Sequence, residues 1–89
     1  MDKLQQMVIA SIKNELLKKN RQDKPSSFWH SVWFHPSEAR FLYGDMYVEV
    51  GVIEPLISSG VLVFKCIEPH QGEKMLRYVL SPNEQINAQ

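Results

Sequence analysis

Residues 56–80 constrain the fold more than any other stretch. Leu56-Ile57-Ser58-Ser59-Gly60 closes an apolar element on a glycine, and Val63-Phe64-Lys65-Cys66-Ile67 follows as a strand. Across Pro69-His70-Gln71-Gly72-Glu73 a second strand returns as Met75-Leu76-Arg77-Tyr78-Val79-Leu80. Glycine stops helices because it takes the left-handed conformation without a Cβ penalty. Two β-branched and aromatic runs around a short Gly-containing tip read as a hairpin. Pairing centred on Gln71 sets Leu62 opposite Leu80, Phe64 opposite Tyr78 and Cys66 opposite Leu76, a continuous apolar face with Cys66 as a buried small hydrophobe. The same register sets Glu68 opposite Lys74 and Lys65 opposite Arg77. Directly opposed like charges repel. Either an anion, with phosphate the obvious candidate, neutralises them, or both side chains snorkel apart into water.

The second firm element is an N-terminal helix over residues 2–20. Leu4, Met7, Val8, Ile12 and Leu16 recur at three- and four-residue spacing, with Lys3, Gln6, Lys13 and Lys18 off the stripe. Ile9 and Leu17 widen it. They either pack on the domain or form the seam of a homodimer, the commonest assembly of small soluble proteins.

The middle of the chain admits more than one reading. Asn20 to Ser27 is polar with a proline and reads as a loop. Phe28 to Phe34 holds both tryptophans, and its seven residues fit a strand or a helical turn equally well. Pro36 suits a first helical position and Glu38 the positive first turn, so residues 36–43 are expected as a helix stopped by Gly44. Residues 46–59 then form a helix with Met46, Val50, Ile53 and Ile57 on one face and Tyr47, Gly51, Glu54 and Ser58 outward. Against this, Val48, Val50, Val52 and Ile53 are β-branched, and Pro55 costs an interior helix about 3 kcal/mol. The competing reading makes Tyr43-Gly44-Asp45-Met46 a two-residue hairpin turn and 46–52 a strand.

Eighty-nine residues, 44% apolar and 22% charged, make one soluble domain. It is expected over residues 1–82, with a flexible polar tail at 83–89. No run approaches a membrane span and the start lacks a signal-peptide pattern, so a cytoplasmic protein of bacterial or phage type is expected. The net charge is zero but uneven: residues 1–24 carry +3 and residues 36–60 carry −3.

The order of elements, with Glu38-Ala39, Leu42-Tyr43-Gly44, Ile53-x-x-Leu56-x-x-x-Gly60-Val61-Leu62 and the returning strand Gly72 to Pro82, resembles a winged helix-turn-helix domain. The resemblance implies an α+β fold of three helices plus a C-terminal hairpin wing. The alternative is one N-terminal helix on a four-stranded antiparallel sheet. It also implies a dimeric transcriptional regulator that contacts double-stranded DNA. Carried over by position, Tyr47, Glu49, Gly51 and Glu54 would face the major groove. Lys65, Lys74, His70 and Arg77 on the wing, with Arg40 and with Lys18, Lys19 and Arg21, would touch the backbone. The third helix lacks residues that read purine edges and carries two carboxylates. The competing function is therefore a non-enzymatic protein-interaction module, of phage-inhibitor or adaptor type, that presents an acidic third helix to a host protein.

Catalytic signatures do not appear. His30, His35, His70 and one cysteine make no zinc spacing, and no phosphate loop or serine elbow occurs. Neither an enzyme nor a cofactor is expected.

Overall fold

The structure is a computed structural model that describes residues 2–17 and 29–86, the last two by backbone alone. The expected loop at 20–27, Phe28, the basic trio Lys18, Lys19 and Arg21, and the end of the tail lie outside the described residues. Among the described residues the chain forms α1 (Lys3–Leu16), β1 (Ser31–His35), β2 (Arg40–Tyr43) and β3 (Met46–Val48). It continues with α2 (Val50–Ser58), β4 (Leu62–His70), β5 (Glu73–Leu80) and α3 (Pro82–Ile86). All neighbouring strands are antiparallel, in the order β3-β2-β1-β5-β4.

This is not a three-helix domain with a wing. The expected helix at 36–43 is a turn and a strand. Pro36 to Ala39 forms the β1–β2 turn, closed by the Ala39 N–H donating to the Pro36 carbonyl at 3.3 Å. Proline at a first helical position and proline in a turn use the same fixed φ, so the local signal is shared. Phe41, Leu42 and Tyr43 are drawn into a strand because β1 and β3 satisfy its backbone on both sides. Gly44, expected as a helix stop, instead turns the chain between Tyr43 and Met46 at φ 61°. The four-stranded alternative comes nearer, yet it has one strand fewer than this sheet and lacks the short helices at 50–58 and 82–86.

The disputed segment is divided between the two readings. Met46–Val48 pairs as a strand, and Val50–Ser58 is a helix despite Gly51 and Pro55. Tertiary burial overrides propensity here, because Ile53 is fully buried and Leu56 nearly so. Pro55 and Gly51 both face solvent, so the carbonyl that proline leaves without an intrahelical donor lies on the wet side. The helix ends at Gly60, φ 82°, with the Val61 N–H donating to Leu56 and the Gly60 N–H to Ile57, a Schellman cap.

Helix α1 starts on a capping box. The Asp2 carboxylate accepts from the Gln5 N–H, and the Gln5 side chain accepts from the Asp2 N–H, both at 3.0 Å. The Gln5 side-chain amide then donates to the Val52 carbonyl at 2.9 Å, which ties α1 to the first turn of α2. The buried stripe of α1 is Gln5, Val8, Ile9, Ile12 and Glu15, while Leu4 and Met7 face out. Ile9 is therefore core, and of the two dimer-seam candidates only Leu17 is exposed.

Both helices lie on one face of the sheet. Val8, Ile9 and Ile12 of α1 and Ile53 and Leu56 of α2 pack on Val32, Phe41, Tyr43, Val48, Leu62 and Leu80. Ser11 and Tyr43 share a hydroxyl hydrogen bond of 2.8 Å between α1 and β2, and Lys13 pairs with Glu84 of α3 at 3.6 Å. The opposite face carries no described helix. Its small second core is Trp33, Leu42 and Met75.

The C-terminal hairpin has a two-residue tip, Gln71-Gly72, both at positive φ, closed by His70 opposite Glu73. Leu62 pairs with Leu80 and Phe64 with Tyr78, as the sequence predicts. A β-bulge then shifts the register, so that Cys66 pairs with Arg77, Ile67 with Leu76 and Glu68 with Met75. Lys65 is the extra residue and does not pair with Arg77; Glu68 does not meet Lys74, and half-buried Cys66 leaves the helix-side face. A bulge removes the like-charge opposition that a regular ladder would impose.

Candidate interaction surface

Helices α1 and α2 leave part of their sheet face uncovered. There a groove of about 370 Å³ is lined by Phe34, Phe41, Leu76 and Tyr78 below and by Val50, Glu54 and Ile57 on the α2 side, with Ala39 at one end. Its origin is helical periodicity. Ile53 and Leu56 point into the core, so the adjacent stripe Val50, Glu54, Ile57, at i, i+4 and i+7, lines the open side.

The floor is a series of aromatic contacts. Ring centroids are 5.0 Å apart for Phe34 and Phe41, 5.9 Å for Phe41 and Tyr78, and 5.7 Å for Tyr78 and Phe64. Phe64 and Ile67 extend the apolar track onto edge strand β4, where both are more than half exposed. The β4 edge is itself guarded: the bulge at Lys65, its charge and Pro69 all oppose strand addition. The groove, not the edge, is the accessible feature.

One charged side chain, Glu54, lines the groove. Its neighbours Asp45 and Glu49 are exposed outside the lining, and Lys74 of β5 is directed to the same sheet face as Leu76 and Tyr78. Comparison of the chain with protein-family models, with curated proteins and with solved structures finds no match. The groove must be read from its own chemistry.

The residues expected to touch DNA form no single surface, although Lys65 and Arg77 meet at one cavity. Register places His70 and Arg77 toward the helix-free face and Lys74 toward the other, while Lys65 is the unpaired bulge residue and lines a cavity with Arg77. Arg40 and Tyr47 sit together two strands away, with the Arg40 guanidinium 4.3 Å from the Tyr47 ring centroid. Arg40 also pairs with Glu38 at 3.3 Å, and Arg77 with Glu68 at 3.2 Å. Among the described residues no group of three or more His, Cys, Asp or Glu is placed to hold a metal ion.

The helix-free face carries polar arrangements that the sequence did not reveal. His70 stacks on Trp33, ring centroids 4.0 Å apart and planes 5° from parallel. Burial holds the His70 pKa below its ordinary value of 6.5; Glu68 opposes that shift and Arg77 adds to it. The unfolded chain therefore binds this proton more readily than the folded one. The neutral ring's contribution is fully present above about 6.5 and is lost as pH falls toward the lowered folded pKa. Urea midpoints should be lower at pH 5 than at pH 7, and His70→Phe, which keeps the stacking, should flatten the difference relative to wild type.

Ser37, His35 and Glu73 connect as a catalytic triad would, with the Ser37 hydroxyl 3.0 Å from His35 Nδ1 and Glu73 on Nε2. The chemistry does not follow. The Glu38 N–H also donates to Nδ1, at 3.3 Å, so the lone pair that would take the serine proton already holds a backbone donor. Ser37 lies on an exposed turn and does not line the groove. The trio anchors the β1–β2 turn to β5.

Proposed function

We propose that this protein is a non-enzymatic interaction module whose groove takes an amphipathic segment of a partner protein, with bulky apolar anchors and a neighbouring lysine or arginine. The observation that carries this reading is Glu54 set between Val50 and Ile57 on the wall of an aromatic-floored groove. Helix-in-groove recognition uses i, i+3/i+4 and i+7 apolar anchors, and the groove supplies the matching row of apolar surfaces. Charge complementarity selects among apolar partners. The reading keeps the acidic α2 surface expected from the sequence and adds an apolar site beneath it. A DNA-binding regulator loses its architectural support, because the expected second helix is a turn and a strand, so Val50–Ser58 is not the second half of a helix-turn-helix. No described helix is long and apolar enough to cross a membrane.

Two amphipathic peptides test the proposal, identical except that one carries lysines and the other glutamates beside the apolar anchors. Fluorescence polarisation should show binding of the lysine peptide, with amide shifts in α2 and at Phe34, Leu76 and Tyr78. Tyr78→Ala, which removes a central floor ring, should weaken it by roughly ten- to thirty-fold, on the order of 1.4–2 kcal/mol. Glu54→Lys should reverse the preference in favour of the glutamate peptide. Equal binding of both peptides by wild type and Glu54→Lys, or shifts outside the groove, rejects the reading.

A further inference from the structure

A second cavity of about 180 Å³ lies where the end of α1, the start of β1 and the β4–β5 ladder meet, lined by Leu16, His30, Lys65, Arg77, Val79 and Leu80. We propose that it is a binding site for a phosphoryl anion, independent of the groove. Three nitrogen-bearing side chains from three separate places in the sequence meet at its wall, and two of them are permanent cations near neutral pH.

Arg77 is set in place before any ligand arrives. Its Nε donates to the Ser31 hydroxyl at 2.7 Å and its Nη1 to Glu68 at 3.2 Å, while the guanidinium lies 5.7 Å from the Trp33 ring centroid. These contacts fix the plane of the fork, and Nη2 has no hydrogen-bond partner among the described residues. Planar, pre-oriented guanidinium groups favour phosphoryl oxygens. Lys65 has no acidic partner among the described residues, so its ammonium supplies the net charge that Glu68 partly cancels at Arg77. His30 Nε2 donates to the Glu15 carbonyl at 3.2 Å, which holds the ring against α1 and leaves Nδ1 for a ligand hydroxyl.

The bulge makes this combination tolerable. In a regular ladder continued from Phe64 and Tyr78, Lys65 would face Arg77 directly. The inserted residue instead pairs Cys66 with Arg77 and keeps Lys65 on the wall of the same cavity. Bulges commonly re-aim side chains at sites of function. Leu16, Val79 and Leu80 form the apolar part of the lining, and the space of about 180 Å³ admits a phosphoryl group whose oxygens meet the polar side.

The test is an amide chemical-shift titration of the whole chain with inorganic phosphate, at ionic strength held constant with chloride. Saturable shifts at His30, Lys65 and Arg77 are expected, weakened at least tenfold in Lys65→Ala and retained in Lys65→Arg. Lys65 is exposed, so both variants should fold, which the unperturbed remainder of the spectrum verifies. A parallel titration with a nucleoside 5′-monophosphate separates the sources. Tighter binding than inorganic phosphate assigns the site to phosphomonoesters, and weaker binding assigns it to the free ion. Absence of saturation, or the same shifts in Lys65→Ala, overturns the proposal. Tyr78→Ala should leave phosphate binding unchanged, so failure of the groove and failure of this site are distinguishable.

Discussion

Replacing Trp33 with alanine should cost about 3–5 kcal/mol, the largest single loss expected in this protein. A domain of this size has a total stability of roughly 5–13 kcal/mol, so the variant stands close to unfolding. The physical reason is position. Trp33 lies on β1, the central strand, and is 1% exposed although no described helix covers its face. It forms the second core with Leu42 and Met75, and it is the surface on which His70 stacks and over which Arg77 lies. Its removal opens a cavity and uncouples the polar groups above it. Urea unfolding monitored by far-ultraviolet circular dichroism measures the loss, and amide spectra of the residual folded population should show the His70 titration returning toward 6.5. Trp33→Phe provides the contrast. The indole Nε1 is buried with no hydrogen-bond acceptor among the described residues, so phenylalanine relieves an unsatisfied donor while it loses contact area. A net cost of about 1–2 kcal/mol is expected. A Trp33→Ala loss below that of Trp33→Phe would show that the second core contributes nothing to stability.

Gly44→Ala should be the most damaging substitution outside the core, by about 2–4 kcal/mol. Two effects combine. Gly44 has φ 61°, where an L-residue pays roughly 1–2 kcal/mol. An ideal Cβ there would also lie 2.5 Å from Trp29 Cζ3, inside any permitted contact. The indole has little freedom to yield, since it packs edge-on against Tyr43 with centroids 6.1 Å apart. A fall in Tm on the order of 10 °C or more follows for a chain of this length. A double-mutant cycle with Trp29→Ala separates the two effects. If the ring contact dominates, the losses should be clearly less than additive; full additivity would assign the damage to backbone strain alone.

The same glycine shows how much of the fold was legible. That the chain turns at Gly44 follows from the residue, but a helix stop and a hairpin turn both need positive φ. Local chemistry cannot tell them apart. The Pro36-Ser37-Glu38 signal fails for the same reason: fixed φ and a short polar run serve a turn as well as a first helical turn. The Lys65/Arg77 neighbourhood was legible as a site of excess positive charge. The bulge that places both on one cavity was not, because Val63, Phe64, Cys66 and Ile67 are apolar at both odd and even positions, so the phase shift caused by an inserted residue leaves no visible break. The groove was hidden for a different reason. Phe34, Phe41, Leu76 and Tyr78 come from three strands, and only the strand order places them under α2.

Sequence alone determined the helix at the N-terminus, the stop at Gly60 and the antiparallel pairing that begins with Leu62 and Leu80. Each depends on contacts within a few residues or across one hairpin, where periodicity and turn chemistry act directly. Tertiary structure decided that residues 40–48 are strands and residues 50–58 a helix. It also left one sheet face without a described helix and a groove open beside α2. Those outcomes depend on which backbone groups find partners across the sheet and which apolar faces are buried together, and that balance is settled over the whole domain rather than along any segment.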